Sequence, residues 1–344
     1  MKIAFFDAKP YDMPGFNRYA AGEDLEIKYF ETRLTEDTVS LADGFDGVCV
    51  FVNDIVNEKV VNRLYEMGVK VIALRCAGFN NVDTRACFRK IHVYRVPAYS
   101  PYAVAEHAMA MLLTINRKTH KAYNRTREFN FNLSGLTGFD LHGKTVGVVG
   151  TGKIGRIFAD ICRGFGMKVL AYDKFPNPAS GLDYVDLEEI FRKADIISLH
   201  CPLTEETYHL INDDAVEIMK PGVVIVNTSR GGLVDTESLI NGIKVGIIGG
   251  ACLDVYEEEG DLFYEDFSDH VIQDDNLVRL IGMPNVLVTS HQAFLTREAL
   301  DNIASTTVDN LVKFFQGEGP SETEVCYHCE RKETCRKERH KKCF

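Results

Sequence analysis

The sequence predicts an α/β fold with two domains, each built on a parallel β-sheet. Three observations lead to this class. The chain has 344 residues, which is more than a single hydrophobic core usually serves. Short β-branched runs alternate with amphipathic helical stretches, as is typical of parallel sheets with crossover helices. A glycine-rich turn also lies between one such run and a helix near the middle of the chain.

The first third of the chain predicts the smaller domain, a flavodoxin-like α/β substrate domain. Its β-runs lie at 2–8, 25–31, 47–52, 69–75 and 91–97. The segment 57–67 is predicted to be helical because its apolar residues recur on one face. A further amphipathic helix over 297–316 should return to this domain, so we predict that it comprises 1–98 plus 297–320.

The middle of the chain predicts a Rossmann-type doubly wound sheet, inserted in the first domain and occupying 99–296. Its β-runs lie at 145–150, 168–173, 195–200, 223–229, 249–255 and 285–291. Before them, the segment 102–124 is predicted to be one long helix. Because it is apolar around much of its circumference, it is also a candidate subunit interface.

Charge and hydropathy exclude several classes of protein. The formal net charge is −11, whereas a nucleic-acid-binding protein would need a basic face. No apolar stretch approaches the roughly 20 residues of a membrane span, and no signal peptide is evident. We therefore expect a cytoplasmic protein without nucleic-acid or membrane partners. Six cysteines are scattered singly and predict buried thiols rather than disulfides: Cys49, Cys76, Cys87, Cys162, Cys201 and Cys252.

The glycine-rich turn predicts a dinucleotide site. It runs Gly150-Thr151-Gly152-Lys153-Ile154-Gly155, directly after a predicted strand and before a predicted helix. The first glycine permits a tight turn, the second lets the backbone approach a pyrophosphate, and the third lets helix and strand pack closely. The phosphates would then lie at the amino end of the helix, where unpaired N–H groups favour negative charge.

An acidic residue after the next strand predicts which dinucleotide is bound. Asp173 lies at the position where a carboxylate accepts hydrogen bonds from the adenosine ribose. A carboxylate there also repels a 2′-phosphate, which favours NAD over NADP. The adjacent Lys174 has the opposite charge and leaves a role for NADP open.

Three polar residues follow successive strands of the predicted second sheet. Arg230 closes the strand at 223–229, Glu259 follows the next strand, and His291 closes the last one. Carboxyl ends of strands face the ligand crevice in an open α/β sheet. Arginine can bind a carboxylate through two parallel hydrogen bonds, and a carboxylate beside histidine favours the imidazolium. The set predicts reduction of a keto acid by hydride transfer, with Arg230, Glu259 and His291 as catalytic residues.

Several passages of the sequence resemble one enzyme family. They are Leu74 to Asp83 (LRCAGFNNVD), Val96 to Pro101 (VPAYSP), Thr228 to Gly231 (TSRG), Asp254 to Glu257 (DVYE) and Ser290 to Thr296 (SHQAFLT). With these passages the chain, from residue 1 to about 320, resembles the D-2-hydroxyacid dehydrogenases, and within them the bacterial fermentative D-lactate dehydrogenases.

The resemblance implies a role for each site residue. It implies that Arg230 binds and polarises the substrate, that Glu259 tunes the histidine, and that His291 donates the proton. It also implies substrate contacts from Phe51, Ala77, Gly78, Tyr99 and Phe294, with the amides of Ala77 and Gly78 on the carboxylate. For NAD, it adds contacts from Lys153, Ile154, Cys201, Pro202, Thr228, Ser229 and Asp254. The resemblance also implies assembly into a homodimer or homotetramer. No metal is expected at this site.

The resemblance and the residues together predict an NAD-dependent enzyme that reduces pyruvate to D-lactate. Two alternatives remain. One is a reductase for a bulkier 2-keto acid, branched, aromatic or dicarboxylic, since only the pocket wall would differ. The bulky Phe51 and Phe294 favour the smaller substrate. The other is a non-enzymatic NAD-sensing regulator of the same fold.

The segment 321–344 forms a basic, cysteine-rich tail for which the resemblance offers no counterpart. Its Cys326, Cys329, Cys335 and Cys343, with His328 and His340, are residues that bind zinc. Their spacing is irregular, however, and many lysines and arginines surround them. We therefore predict a dispensable or loosely docked tail without a bound metal, and a zinc site in the tail is the alternative.

Overall fold

The computed structural model describes residues 1–318 and 322–327. It divides into two compact units: unit 1 comprises Met1–Ser100 with the chain from Leu295 onward, and unit 2 comprises Pro101–Phe294. The strands are β1 (Lys2–Phe5), β2 (Glu26–Tyr29), β3 (Gly47–Val50), β4 (Val71–Leu74), β5 (His92–Tyr94), β6 (Thr145–Val149), β7 (Lys168–Tyr172), β8 (Asp183–Tyr184), β9 (Ile196–Leu199), β10 (Val223–Asn227), β11 (Ile248–Leu253), β12 (Val286–Val288) and β13 (Glu324–Val325). The helices are α1 (Met13–Ala20), α2 (Glu58–Glu66), α3 (Thr84–Cys87), α4 (Pro101–Arg117), α5 (Thr119–Arg127), α6 (Lys153–Gly164), α7 (Leu187–Lys193), α8 (Asp213–Ile218), α9 (Thr236–Val245), α10 (Asp275–Gly282) and α11 (Arg297–Phe315).

Unit 1 contains a six-stranded sheet in the order β13-β5-β4-β3-β1-β2. All neighbouring strands are parallel except β13, which is antiparallel to β5. The five parallel strands follow the flavodoxin-like order. Strands β3 and β4 are buried along their whole length, as expected for strands covered on both faces.

Unit 2 contains a seven-stranded sheet in the order β12-β11-β10-β9-β6-β7-β8, and every neighbouring pair is parallel. The order of the strands reverses between β6 and β9. Ligands of doubly wound sheets bind at the carboxyl ends of the strands beside such a reversal. The predicted fold class, a two-domain α/β protein with a Rossmann-type sheet, is confirmed.

The predicted long helix over 102–124 is divided in two. Lys118 adopts a left-handed φ of 52°, and α5 begins at the next residue. The Lys118 ammonium donates to the carbonyl oxygens of Gly135 and Thr137, at 3.0 and 3.1 Å. The apolar residues of α4 are buried inside unit 2 with those of α6 and β6. Packing within unit 2 therefore explains why α4 is apolar around so much of its circumference.

Residues 322–327 correct the expectation of a loosely docked tail. They include β13, and Glu324 is 1% exposed with its carboxylate 2.7 Å from His92 Nδ1. Val325 and Cys326 are buried as well. This part of the tail is therefore held by both backbone and side-chain contacts. Five of the six candidate zinc ligands lie outside the described residues: His328, Cys329, Cys335, His340 and Cys343. None of the helices among the described residues is long and apolar enough to cross a membrane.

Candidate active site

The three glycines of the turn between β6 and α6 have different surroundings. Gly150 adopts a φ of 93°, and a Cβ there would lie 2.5 Å from the carbonyl carbon of His200. A Cβ on Gly155 would lie 1.9 Å from the carbonyl oxygen of Gly150. A Cβ on Gly152, in contrast, would meet no protein atom within 4 Å. Packing therefore requires glycine at the first and third positions, whereas the second fits the close approach of a phosphate to the backbone.

Helix α6 begins directly after this turn. Gly152 is its N-cap and offers no side-chain cap, and Lys153 and Ile154 form the first turn. The first amides of a helix have no acceptor within the helix and attract anions. The local geometry therefore suits the pyrophosphate of a dinucleotide.

Asp173 lies just beyond β7 and is bonded to the same turn. Its Oδ2 accepts from the amide of Thr151 at 2.6 Å and from the Thr151 hydroxyl at 3.0 Å. Its Oδ1 accepts from the Phe175 amide at 2.8 Å. Partial burial acts to raise the pKa of Asp173, but these hydrogen bonds hold it below its usual value. The side chain is therefore an ionised acceptor in a fixed orientation.

A cavity of about 660 Å³ lies at the carboxyl ends of β6, β7 and β9. Five of the predicted cofactor residues line it: Gly150, Gly152, Asp173, Cys201 and Pro202. Thr228, another predicted contact, is 8% exposed, and its Oγ1 has no hydrogen-bond partner among the described residues. Such an orphaned buried hydroxyl fits a site that binds a polar ligand. Ser229 has an internal partner, because its hydroxyl donates to the carbonyl oxygen of Cys201 at 2.7 Å.

Arg230 follows β10 and is exposed. Its Nη1 donates to the carbonyl oxygen of Ser229 at 2.7 Å, and its own carbonyl oxygen accepts from the buried Asn227 amide group at 2.9 Å. A Cβ on the next residue, Gly231, would lie 2.1 Å from the backbone of Tyr256. The arginine is thereby held against the segment that follows β11.

His291 and Glu259 form a hydrogen-bonded pair. His291 Nδ1 lies 2.8 Å from Glu259 Oε1, while Oε2 accepts from the Tyr256 amide at 2.9 Å. His291 has a left-handed φ of 51°, and its amide donates to the carbonyl oxygen of Asp254 at 2.7 Å. The carboxylate therefore orients the imidazole through Nδ1 and leaves Nε2 for another partner. The structure thus joins two of the three predicted catalytic residues directly, and the third follows a strand of the same sheet.

Asp254 has a structural role that the sequence analysis missed. It is fully buried, and its carboxylate accepts from the amides of Gln292 and Ala293, both at 2.9 Å, and from the Thr289 hydroxyl at 2.6 Å. His107 Nε2 lies 3.3 Å from the same carboxylate. The side chain of Asp254 therefore shapes the turn that carries His291. Its partners are distant in sequence, so no local pattern announced this role.

A second unpredicted network links the loops after β9, β10 and β11. His209 Nε2 lies 2.6 Å from Glu257 Oε1, and its Nδ1 lies 3.7 Å from Asp235. Thr236 donates to the other oxygen of Glu257 at 3.0 Å. Because Glu257 neighbours the segment against which Gly231 packs, this network braces the surroundings of both Arg230 and Glu259.

One of the predicted substrate residues of unit 1, Phe51, contacts a buried arginine. Arg75 is 2% exposed; its guanidinium donates to the carbonyl oxygen of Asp7 at 2.6 Å and lies 4.5 Å from the ring centre of Phe51. The loop after Arg75 contains Ala77 and Gly78, whose amides donate to no other residue within 1–318 and 322–327. Tyr99 is half-buried in unit 1. Phe294 is buried in unit 2.

Comparisons with known proteins agree with the two-domain α/β fold. Residues 109–293 match the family model of the D-isomer-specific 2-hydroxyacid dehydrogenase NAD-binding domain. The chain is 52% identical to a D-lactate dehydrogenase of Escherichia coli over 322 residues, 92% of this chain and 98% of that protein. A solved structure from work identifying the pyruvate reductase of Chlamydomonas reinhardtii has a TM-score of 0.88 and 42% identity, covering 92% of this chain and 97% of that one. The NAD complex of a D-isomer-specific 2-hydroxyacid dehydrogenase from Lactobacillus delbrueckii ssp. bulgaricus has a TM-score of 0.80 and 34% identity, covering 94% of this chain and 100% of that one.

Proposed function

The chain belongs to the D-isomer-specific 2-hydroxyacid dehydrogenases, which are NAD-dependent oxidoreductases, and from this premise we propose that it reduces pyruvate to D-lactate. The observation that carries the proposal is the 2.8 Å pair of His291 and Glu259, with Arg230 following another strand of the same sheet. The description of the Chlamydomonas structure as a pyruvate reductase supports pyruvate as the substrate.

NADH supplies the hydride to the keto carbon, so this chain must bind the anion and supply a proton. We propose that Arg230 binds the substrate carboxylate and polarises the keto oxygen. Its planar guanidinium donates two parallel hydrogen bonds to such a group. His291 then donates its Nε2 proton to the oxygen as negative charge develops there. Glu259 fixes the ring and stabilises the imidazolium before transfer.

The remaining site residues are assigned in the same proposal. The amides of Ala77 and Gly78 hold the substrate carboxylate, Tyr99 contacts the substrate, and Phe51 and Phe294 limit the pocket to a small side chain. Beyond the residues that line the cavity, the cofactor contacts are Lys153, Ile154, Gly155, Thr228, Ser229 and Asp254.

The proposal also covers organisation in the cell. We assign 1–98 plus 297–320 to the substrate domain and 99–296 to the NAD-binding domain, bounds that differ from those of the two compact units by two residues at each hinge. We further propose a cytoplasmic homodimer or homotetramer. Exposed apolar side chains support self-association: Tyr123, Phe129, Phe131 and Leu133 are each at least 60% exposed. Sedimentation equilibrium of the full chain tests the subunit count, and a monomer at all concentrations would contradict it.

A panel of keto acids tests the substrate. NADH oxidation is measured with pyruvate and with branched, aromatic and dicarboxylic 2-keto acids, followed by chiral analysis of the product. We expect the highest kcat/KM with pyruvate, and D-lactate as the product. Each added methylene should cost about tenfold or more in kcat/KM. A preference for a bulkier acid would replace pyruvate as the substrate. NADH binding without turnover of any acid would instead favour a regulator.

A further inference from the structure

The end of the cofactor cavity beside Asp173 carries an ion pair that the proposed mechanism does not use. The Lys174 ammonium pairs with the carboxylate of Glu206, and both residues line the cavity, as does Glu205. Lys174 follows β7, whereas Glu206 lies in the loop after β9. The pair therefore joins the loop that contains Asp173 to the loop that follows β9.

The charges of this lining are unequal. Asp173, Glu205 and Glu206 contribute three carboxylates, and Lys174 contributes the one ammonium group among the lining residues. Burial lowers the pKa of His200, which also lines the cavity, to about 4, so its imidazole is neutral near pH 7. A 2′-phosphate brought to this end would meet an excess of negative charge.

The loop that presents Glu206 is ordered by its own hydrogen bonds. The hydroxyl of Thr207 accepts from the amide of Thr204 at 2.8 Å and donates to the carbonyl oxygen of Pro202 at 2.7 Å. The amide of Tyr208 donates to the carbonyl oxygen of Thr204 at 2.9 Å. Glu206 is thus held on a defined turn close to Lys174.

We propose that Glu206 is a residue that determines cofactor specificity: it pairs with Lys174 and so denies a 2′-phosphate its nearest cation. A lysine beside the ribose acceptor would otherwise attract that phosphate. Glu206 opposes NADP because it engages the ammonium, and its own exposed charge has no larger effect than that of Glu205. The inference depends on the NAD binding of the family and not on the choice of pyruvate.

Equilibrium binding of NADH and NADPH at low salt, without a keto acid, tests the proposal. Asp173→Asn is the background, because it removes the charge at the ribose and keeps an acceptor oxygen. Adding Glu206→Gln should raise the affinity for NADPH relative to NADH by about fivefold, the scale of one exposed ion pair. Adding Glu205→Gln instead makes the same charge change without releasing Lys174. It should raise the affinity for NADPH relative to NADH by less than about twofold.

A third substitution identifies the cause. In the Asp173→Asn/Glu206→Gln protein, Lys174→Met should abolish the gain for NADPH, because the released ammonium produces it. An NADH affinity equal to that of the Asp173→Asn background in each further variant reports an intact site. Equal gains from the two glutamine variants, or a gain that survives Lys174→Met, would overturn the role of the pair. The proposal would also be overturned if Glu206→Gln raised the affinity for NADPH relative to NADH neither in the Asp173→Asn background nor in the wild-type chain.

Discussion

The cofactor turn and the catalytic strand ends of unit 2 are built in opposite ways. The turn from Gly150 to Gly155 is one continuous stretch, and it works mainly through its backbone: a left-handed glycine, a close helix-strand contact and free amides. The proposed catalytic residues Arg230, Glu259 and His291 follow three different strands. Hydrogen bonds from the Asn227 side chain, from the Tyr256 amide and between Glu259 and His291 hold them in place. The turn should therefore control cofactor affinity, whereas the strand ends should control turnover.

The largest effect is expected from His291→Asn. Asparagine tolerates the left-handed φ of 51° at this position, so the turn should keep its shape. It cannot donate a proton to a developing alkoxide, and kcat should fall by about a thousandfold. The dissociation constant of NADH, measured by fluorescence titration, should stay within twofold of wild type, on the scale of a neutral surface change. A large loss of NADH affinity would break the division between the two regions.

Arg230→Lys should have the next largest effect. Lysine keeps the positive charge but cannot donate two parallel hydrogen bonds to a carboxylate. We expect kcat to fall about a hundredfold and the KM of pyruvate to rise, with NADH binding unchanged. Arg279→Lys, on an exposed position of α10, is the matched control and should leave the kinetics unaltered. Wild-type kinetics in Arg230→Lys would show that another group binds the anion.

The two regions also differ in how far sequence predicts them. The sequence predicts the strand, the glycine turn and the helix correctly, because these are neighbours in the chain. The contacts of this turn and of Asp173 with a dinucleotide stay predictions. For the catalytic residues, the sequence predicted strand ends of one sheet, and the resemblance supplied their roles. The hydrogen bonds by which Asp254 and His209 stabilise the loops around these residues could not be predicted, because their partners come from other loops.

The sequence analysis also failed to predict elements that are short or interrupted. The strands β8 and β13 contain two residues each, which is too short to show a period of two. The break at Lys118 falls within a continuous helical pattern, because a left-handed lysine carries no sequence signal. In each case the tertiary contacts, such as those of Glu324 with His92, decide the local structure.

Glu259→Gln tests how much of the turnover depends on the partner of His291. Each carboxylate oxygen of Glu259 accepts one hydrogen bond, from His291 and from the Tyr256 amide. Glutamine has a single acceptor oxygen, so one of these bonds is lost together with the charge. We expect kcat to fall by about tenfold to a hundredfold, less than for His291→Asn because the proton donor remains. Glu258→Gln, an exposed neighbour with the same charge change, is the control, and equal losses in the two variants would remove Glu259 from the mechanism.

The smallest effect is expected at the turn, from Gly152→Ala. A Cβ at this position meets no protein atom within 4 Å, so the melting temperature should not change. The methyl group would occupy the approach to the backbone that a phosphate needs. The dissociation constant of NADH should rise about tenfold, which corresponds to the loss of one charge-assisted hydrogen bond. At saturating NADH, kcat should remain near wild type, because the strand ends are untouched. Gly155→Ala provides the contrast: its Cβ would lie 1.9 Å from the carbonyl oxygen of Gly150, so this variant should lower the melting temperature. If Gly152→Ala instead lowered kcat and left NADH affinity intact, the turn would take part in turnover and the division between the two regions would fail.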